Sequence, residues 1–237
     1  MDFAPFDVRK YRTVEVQDGY REWSDTYESS VEDEMDIRLL RRVRTVDWAA
    51  TGRALDLACG TGRIGTWLRA QGVALIDGVD FTPAMLERAR ARGVYRTLAV
   101  ADIRATRLEG GAYDLVTEVL ADEHLPDLRP LYDEAGRLTR PGGVFVIVGY
   151  HSHFLMTGIP THFDSASGEP VAIQSHVHLL SDHVKAAHAA GWVLSELDEG
   201  IVDDEWLAKK PNWRRFLHHP VSFAMVWRKP GPSDPAR

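Results

Sequence analysis

Apolar positions follow two spacings along this chain, and the change from one to the other marks its elements. From residue 53, short apolar runs alternate with stretches whose apolar residues recur every three or four positions. "RALDLA" predicts a short buried strand, and "GRIGTWLRAQG" predicts a helix with Ile64, Trp67 and Leu68 on one side and Gly72 just past its end. "VALIDGVD" is the second predicted strand. "TPAMLERARARG" predicts a helix with Thr82 as N-cap, Pro83 at the first helical position and Gly93 as its stop. "YRTLAVADI" and "YDLVTEVL" supply two more strands. Leu128, Leu131, Tyr132, Ala135 and Leu138 then mark a helix, which "RPGG" ends before the strand "VFVIVGY". Such alternation predicts a parallel sheet with right-handed crossovers.

Both ends depart from this rhythm. Tyr20, Trp23 and Tyr27 lie at i, i+3 and i+7, and Val31, Met35, Leu39, Val43 and Val46 continue at near-helical intervals. Two helical segments are therefore expected ahead of the first strand, with no linker to set them apart. After a helix "SDHVKAAHAAG", opened by Ser181, come "WVLSELDEGIV" and "PVSFAMVWRK", separated by about 17 residues without a crossover helix and so expected to pair antiparallel. The resulting division is a helical extension at 1–50, a main domain at 51–230 with an insertion at 151–180, and a disordered tail at 231–237.

With 237 residues the chain suits one α/β domain. A formal charge of −7 disfavours a nucleic-acid partner, which needs a basic surface. The basic run "RLLRRVR" at 38–44 follows the acidic "EDEMD" at 32–36, an order that suits a helix dipole and a solvated helix face. A single cysteine, Cys59, excludes an intramolecular disulfide and a multi-thiolate zinc site, and its place predicts a packing role. No apolar run reaches 18 residues, so no membrane span is expected and the chain reads as a cytoplasmic monomer or homodimer.

The stretch "LDLACGTGRIG" holds Gly60, Gly62 and Gly65 in a G-x-G-x-x-G spacing between a strand and a helix, where backbone amides can approach a nucleotide. Asp56 precedes the turn by four residues. A carboxylate there would repel a diphosphate and attract a cationic ligand. Asp80 closes the second strand 20 residues after Gly60, the place from which a carboxylate accepts ribose hydroxyls. Asp102 ends the third strand, with Ile103 beside it, and Met85 lies early on the helix after Asp80, an arrangement suited to an adenine ring.

Taken together, "LDLACGTGRIG", "IDGVDFTPAMLERAR", "VADI", "YDLVTEVL" and "RLTRPGGVFVIV" resemble, in order, the class I S-adenosylmethionine-dependent methyltransferases over roughly residues 20–230. The resemblance implies a Rossmann-like, doubly wound α/β sheet of seven strands, the last antiparallel. It implies S-adenosylmethionine as cofactor, and a glycine motif that leaves Gly65 as a packing position. It also implies that Tyr20, Trp23 and Tyr27, which match a Y-x-x-W-x-x-x-Y stretch, form a lid helix over the cofactor. The expected cofactor set is completed by Ala58, Phe81 and Glu118.

The resemblance also implies an acceptor class: the family's nucleic-acid and protein amino methyltransferases often show an N/D-P-P-Y/F-type motif after the fourth strand, and its absence here points to a small-molecule acceptor. The expected reaction is in-line methyl transfer to oxygen, nitrogen or sulfur. A hydroxyl acceptor needs a base, and His124, His151 and His153 are the candidates. The insertion is expected to shape the acceptor pocket, with Tyr150, Phe154, His162, His176 and His178 as substrate residues. His151 with His153, and His176 with His178, would each share a face on a continuing strand, but no fixed carboxylate accompanies them and no metal is assigned. The competing readings are a metal-assisted methyltransferase, a dinucleotide-dependent oxidoreductase, and a catalytically silent methyltransferase-like subunit acting through a partner.

Overall fold

A computed structural model describes residues 1–30 and 35–232. The chain opens with a short strand, β1 (Arg12–Val14), followed by helices α1 (Val16–Trp23), α2 (Tyr27–Ser30) and α3 (Ile37–Leu40). Alternation then runs through β2 (Arg53–Leu57), α4 (Arg63–Ala70), β3 (Leu75–Asp80), α5 (Pro83–Ala91), β4 (Thr97–Val100), β5 (Tyr113–Val119), α6 (Arg129–Leu138) and β6 (Thr139–Tyr150). The remainder comprises α7 (Ser152–Met156), β7 (His162–Asp164), β8 (Pro170–Ile173), α8 (Leu180–Ala189), β9 (Val193–Ile201), α9 (Asp204–Lys209) and β10 (Pro220–Arg228).

Seven strands form one sheet in the order β4-β3-β2-β5-β6-β10-β9. β2 through β6 pair in parallel, and β10 runs antiparallel between β6 and β9. The central strands are apolar throughout because both faces are covered. Along β6, Phe145 and Ile147 join the cluster under α6 and α8, while Val146 and Val148 join the one under α3 and α4. The same division separates Phe223, Met225 and Trp227 from Ala224 and Val226 on β10. Alternate side chains of one strand thus hold two helical layers to one sheet.

The insertion does not stand apart from the amino-terminal segment. β8 pairs in parallel with β1 and antiparallel with β7, making a second, three-stranded sheet. Trp23, Phe163, Val171 and Ile173 form its core with Tyr20 and Tyr27 packed against them. The connection from β9 to β10 is also built up, containing α9 and a 3-10 turn at Pro211–Phe216.

Several local expectations change. Thr82 occupies the N-cap of α5 without capping it through its side chain, whose oxygen is buried without a partner; its amide is instead held by Asp80. α8 begins at Leu180 rather than after Ser181, because the Asp182 carboxylate accepts the Leu179 amide. The "RPGG" stretch lies within β6 instead of preceding it. Arg38 and Arg42 lie on no long solvated helix: α3 has one turn, and they pair with Asp203 and with Asp198 of the β9 region. Residues 32–34 of the acidic run and 233–237 of the tail lie outside the described residues.

Candidate active site

The carboxyl ends of β2, β3 and β5, with the segment after β4, open on a cavity of about 510 Å³ that α1 and α2 cover. Two non-glycine residues at adjacent strand ends line it with left-handed backbone, Ala58 (φ 53°) and Leu120 (φ 59°). Such conformations persist only where the surroundings fix them, and they cluster at functional sites. Gly60, at φ 52°, takes the left-handed backbone conformation that favours glycine. Gly62 and Gly65 serve another purpose, since a Cβ on either would collide with the Tyr95 ring.

Asp80 is the best-positioned carboxylate. Its Oδ2 accepts the Gly60 amide at 2.9 Å and its Oδ1 the Thr82 amide at 2.8 Å, and the side chain faces the cavity with Met85 and Phe81. Burial raises its pKa, while the two amides act the other way. Asp102 and Ile103 also line the cavity, and Asp102 pairs with Arg104, which lowers its pKa. Glu15 and Asp18 contribute from the lid, so four carboxylates face one guanidinium. The turn itself has little left for an anion: the Gly60 amide is given to Asp80, and the Gly62 amide to the Cys59 carbonyl at 2.8 Å.

Asp56 does not line the cavity, contrary to its expected role. It is buried under the turn, accepting Tyr95 Oη at 2.7 Å and Thr117 Oγ1 at 3.0 Å, and burial pushes its pKa up to about 6. Its function is to hold the tyrosine against which Gly62 and Gly65 pack. Glu118 is likewise beneath the surface, its Oε1 accepting the Ala121 amide at 2.7 Å, with its pKa raised by burial and by Asp122 and Glu123. The strand end presents Val119 and Leu120 instead.

The three aromatic residues of the amino-terminal helices part company. Tyr20 and Tyr27 line the cavity; Trp23 does not, because it stacks on Phe163 at 5.6 Å in the second sheet. Gln17 Nε2 donates to the Phe81 carbonyl at 2.7 Å, Glu28 binds Thr61 and Arg92, and Asp36 pairs with Arg63. The amino-terminal helices are thereby tied to the glycine turn and to the start of α4. Nothing in the hydrophobic pattern marked Gln17 or Glu28.

Of the three candidate bases, only His124 lies at the cavity. Its Nδ1 bonds the Gln174 carbonyl at 2.7 Å, which makes Nδ1 the protonated nitrogen, and Nε2 accepts Tyr20 Oη at 2.9 Å. Burial lowers its pKa to about 4, so the ring is neutral near pH 7. The Glu123 carboxyl, 3.5 Å from Nε2, is pushed up to about 8 by burial and by Asp122. The two are neutral neighbours, not an ion pair.

His151 and His153 are elsewhere because the strand does not continue: the chain turns into α7, with His151 as its N-cap. His151 Nε2 bonds Glu199 at 2.8 Å, and His153 Nε2 bonds His219 at 2.9 Å. His176 does line the cavity, whereas His178 is buried against the Leu125 carbonyl, and their rings are 6.4 Å apart. Among the described residues no group of three or more His, Cys, Asp or Glu could hold a metal ion.

A second cavity, of about 310 Å³, meets the first at Leu120, which lines both. Tyr150, Phe154 and His162 line it, together with Trp23, Phe163 and Trp206. Sequence reasoning found the first three from the insertion. It missed Trp206, which reaches the chamber from α9, and Gln174, Leu125 and Pro126 at the first cavity.

Residues 55–147 match the family model of the methyltransferase domain. An uncharacterized methyltransferase of Emericella nidulans is 28% identical over 236 residues, spanning 83% of this chain and 82% of its own length. A ubiquinone biosynthesis O-methyltransferase of Xanthomonas oryzae pv. oryzae is 28% identical over 155 residues, 61% of each chain. The crystal structure of an S-adenosylmethionine-dependent methyltransferase from Mesorhizobium loti superposes with a TM-score of 0.67 at 21% identity, covering 83% of this chain and 98% of that one. The last is a likeness of fold. No helix among the described residues is long and apolar enough to cross a membrane.

Proposed function

We propose that this chain is an S-adenosylmethionine-dependent methyltransferase that methylates a hydroxyl oxygen of a small molecule; the methyltransferase-domain match and the shared fold support the reading. The observation that carries the oxygen assignment is the Tyr20–His124 pair in the wall of the first cavity. An amine with a free lone pair needs only positioning, whereas a hydroxyl must lose a proton as the new bond forms.

The cavity residues fit the cofactor. Asp80 retains accepting capacity for ribose hydroxyls, Met85 and Ile103 flank an apolar slot, and the excess of carboxylates favours a cationic ligand. S-adenosylmethionine, when bound, supplies a methyl group on a sulfonium, already a good leaving group. The expected electrostatic preference for a cation is kept, but its carriers are Asp80 and Asp102 rather than Asp56. With the Gly60 and Gly62 amides engaged within the protein, a diphosphate has no cradle to enter.

His124 accepts the proton through Tyr20. As the acceptor hydroxyl yields its proton to Tyr20 Oη, Tyr20 passes its own to His124 Nε2, so that the phenol ends neutral and the imidazole carries the charge. Tyr20 alone is a poor base, since burial and the nearby Glu123 raise its pKa further. The Gln174 carbonyl keeps the receiving nitrogen unprotonated beforehand, and the lid excludes water from the path. The O-methyltransferase among the relatives favours the same acceptor atom. His176 and the second chamber are the acceptor side of the site.

The test is calorimetry with S-adenosylhomocysteine and with NAD, followed by labelled methyl transfer to a panel of phenols, alcohols and amines. Binding of the first ligand alone, with transfer confined to hydroxyls, is expected. Uptake of NAD, or transfer to amines only, overturns the reading.

A further inference from the structure

A third cavity, of about 380 Å³, adjoins the second chamber at Ile159, which lines both. Its charge is the reverse of the cofactor cavity's. Arg9, Arg215 and His219 line it and no carboxylate does, in a chain whose formal net charge is −7. Elsewhere the arginines turn to acids: Arg42 pairs with Asp198, Arg53 with Asp77 and Arg137 with Glu134. Among the described residues the exposed guanidiniums of Arg9 and Arg215 have no ion pair. Two like charges at one depression without a counterion leave a field that an anion can use.

The depression is built by close packing of two segments. Gly158, at φ 87°, lies where a Cβ would collide with the Phe6 carbonyl and the Val8 side chain, so the amino-terminal segment is seated directly on the turn after α7. Asp7 accepts the Arg9 and Lys10 amides at 2.8 and 3.0 Å, which fixes the turn that carries Arg9. Arg215 is held over the Phe216 ring, its Cζ 4.6 Å from the centroid, and a guanidinium stacked in this way keeps its in-plane N–H groups for another partner. Thr157 gives its hydroxyl proton to the Phe154 carbonyl, so the donors to a ligand are Arg9, Arg215 and His219. His219 Nδ1 shares a hydrogen bond of 2.9 Å with His153 Nε2. With His153 as its donor, His219 carries its proton on Nε2 and is a donor there without being charged.

The donor set distinguishes among anions. One guanidinium satisfies the two oxygens and single charge of a carboxylate, whereas two guanidiniums and an imidazole suit a group with more of both. A phosphate monoester carries roughly two charges near neutral pH and three strong acceptor oxygens. The remaining wall is apolar: Phe216, Ile159 and Val8, which is 68% exposed and would be covered by an organic substituent. A flat anionic surface would make no use of the concavity.

We propose that this cavity binds a phosphate monoester, the oxyanion held by Arg9, Arg215 and His219 and the organic part against Val8, Ile159 and Phe216. The site needs neither the methyl donor nor the acceptor hydroxyl, so it goes beyond the methyl-transfer reading and stands without it.

Phenyl phosphate, benzoate, inorganic phosphate and benzyl alcohol are titrated calorimetrically into the full chain, each with and without S-adenosylhomocysteine. Phenyl phosphate is expected to bind about tenfold tighter than benzoate or inorganic phosphate, the scale of one further charge-assisted hydrogen bond or of the buried ring, and benzyl alcohol more weakly still. Arg9→Gln and Arg215→Gln should each weaken phenyl phosphate about tenfold with Tm unchanged, because both side chains are exposed. Arg107→Gln removes the same charge from an exposed arginine outside the three cavities and should change affinity less than about twofold. Equal affinities for phenyl phosphate and benzoate, indifference to both arginine variants, or an equal loss in Arg107→Gln overturns the proposal. So does loss of phenyl phosphate binding when S-adenosylhomocysteine is present, which would place the probe in the first cavity. Cosedimentation with phosphatidylglycerol-containing vesicles that depends on Arg9 and Arg215, without binding of phenyl phosphate, would assign the patch to a membrane surface instead. Failure of S-adenosylhomocysteine itself to bind would count against the cofactor reading alone, since the probes are also titrated without it.

Discussion

The two cavities that share Leu120 are made in different ways. The larger is built mainly by strand ends and the loops that follow them, so its shape comes from backbone: the turn at Gly60, left-handed Ala58 and Leu120, and a carboxylate holding two amides. The smaller is assembled by side chains from α1, the end of β6, α7, the insertion and α9, and its shape comes from aromatic rings. A site made of backbone tolerates little change in its few fixed groups, whereas one made of side chains can be altered wall by wall. The first arrangement suits a constant ligand and the second a variable one.

The sharpest way to break this contrast is at Asp80. Asp80→Asn places an amide where two backbone N–H groups now meet a charge, and it removes the accepting capacity offered to ribose. The expected loss of S-adenosylhomocysteine affinity is roughly 100-fold, about 2.7 kcal/mol, measured by calorimetry against a melting curve that reports folding separately. A folded variant with native affinity would remove Asp80 from the cofactor site. Next in size is Tyr20→Phe, for which kcat toward a hydroxyl acceptor should fall roughly 10- to 100-fold, with cofactor affinity within about twofold. Combined with His124→Gln, the loss should not exceed that of the worse single variant, because the two residues act as one path. Additive losses would mean that they act separately.

The order of legibility follows the same division. The alternation of strands and helices and the cofactor end of the sheet could be read because the information is local: Gly60 and Asp80 lie 20 residues apart, and each falls at or just past a predicted strand end. Asp56 shows where local spacing misleads. Spacing put it next to the turn, but the pleat turned its side chain beneath the turn, to Tyr95 and Thr117. Glu118 failed likewise. Trp206 could not be tied to a chamber whose other walls begin some 180 residues earlier at Trp23. Nor could a period of 3.6 or 2 show that β1 would pair with β8, since both are short and neither alternates cleanly.

The buried acids beside the site give a prediction on pH. Glu123, with its folded pKa at about 8, contributes stability that is complete below about pH 4.5 and lost as pH rises toward 8. Asp56 acts in the same direction between 3.8 and about 6. His124 acts oppositely: with its folded pKa near 4, it costs stability as pH falls below 6.5. Glu123→Gln removes the first term, so the fall in Tm from pH 5 to pH 8 should shrink by several degrees, since each kcal/mol moves Tm by roughly 2–4 °C in a chain of this size. An unchanged slope would mean that Glu123 is ionised in the folded protein.

The smallest expected effect belongs to the pair that the sequence ranked beside His124. His151 and His153 were plausible bases while the strand was expected to continue, since they would then have shared one face near the crevice. The chain instead bends at His151 into α7, sending one ring to Glu199 on β9 and the other to His219. Neither lines either cavity. His151→Ala and His153→Ala should therefore leave kcat/KM within about twofold, while His124→Gln lowers it by one to two orders of magnitude. A large loss in either alanine variant, with the fold intact by circular dichroism, would place the acceptor near α7 and move the chemistry away from Tyr20. Equal and small effects in all three would leave the hydroxyl without a base, and positioning alone would then favour a nitrogen acceptor.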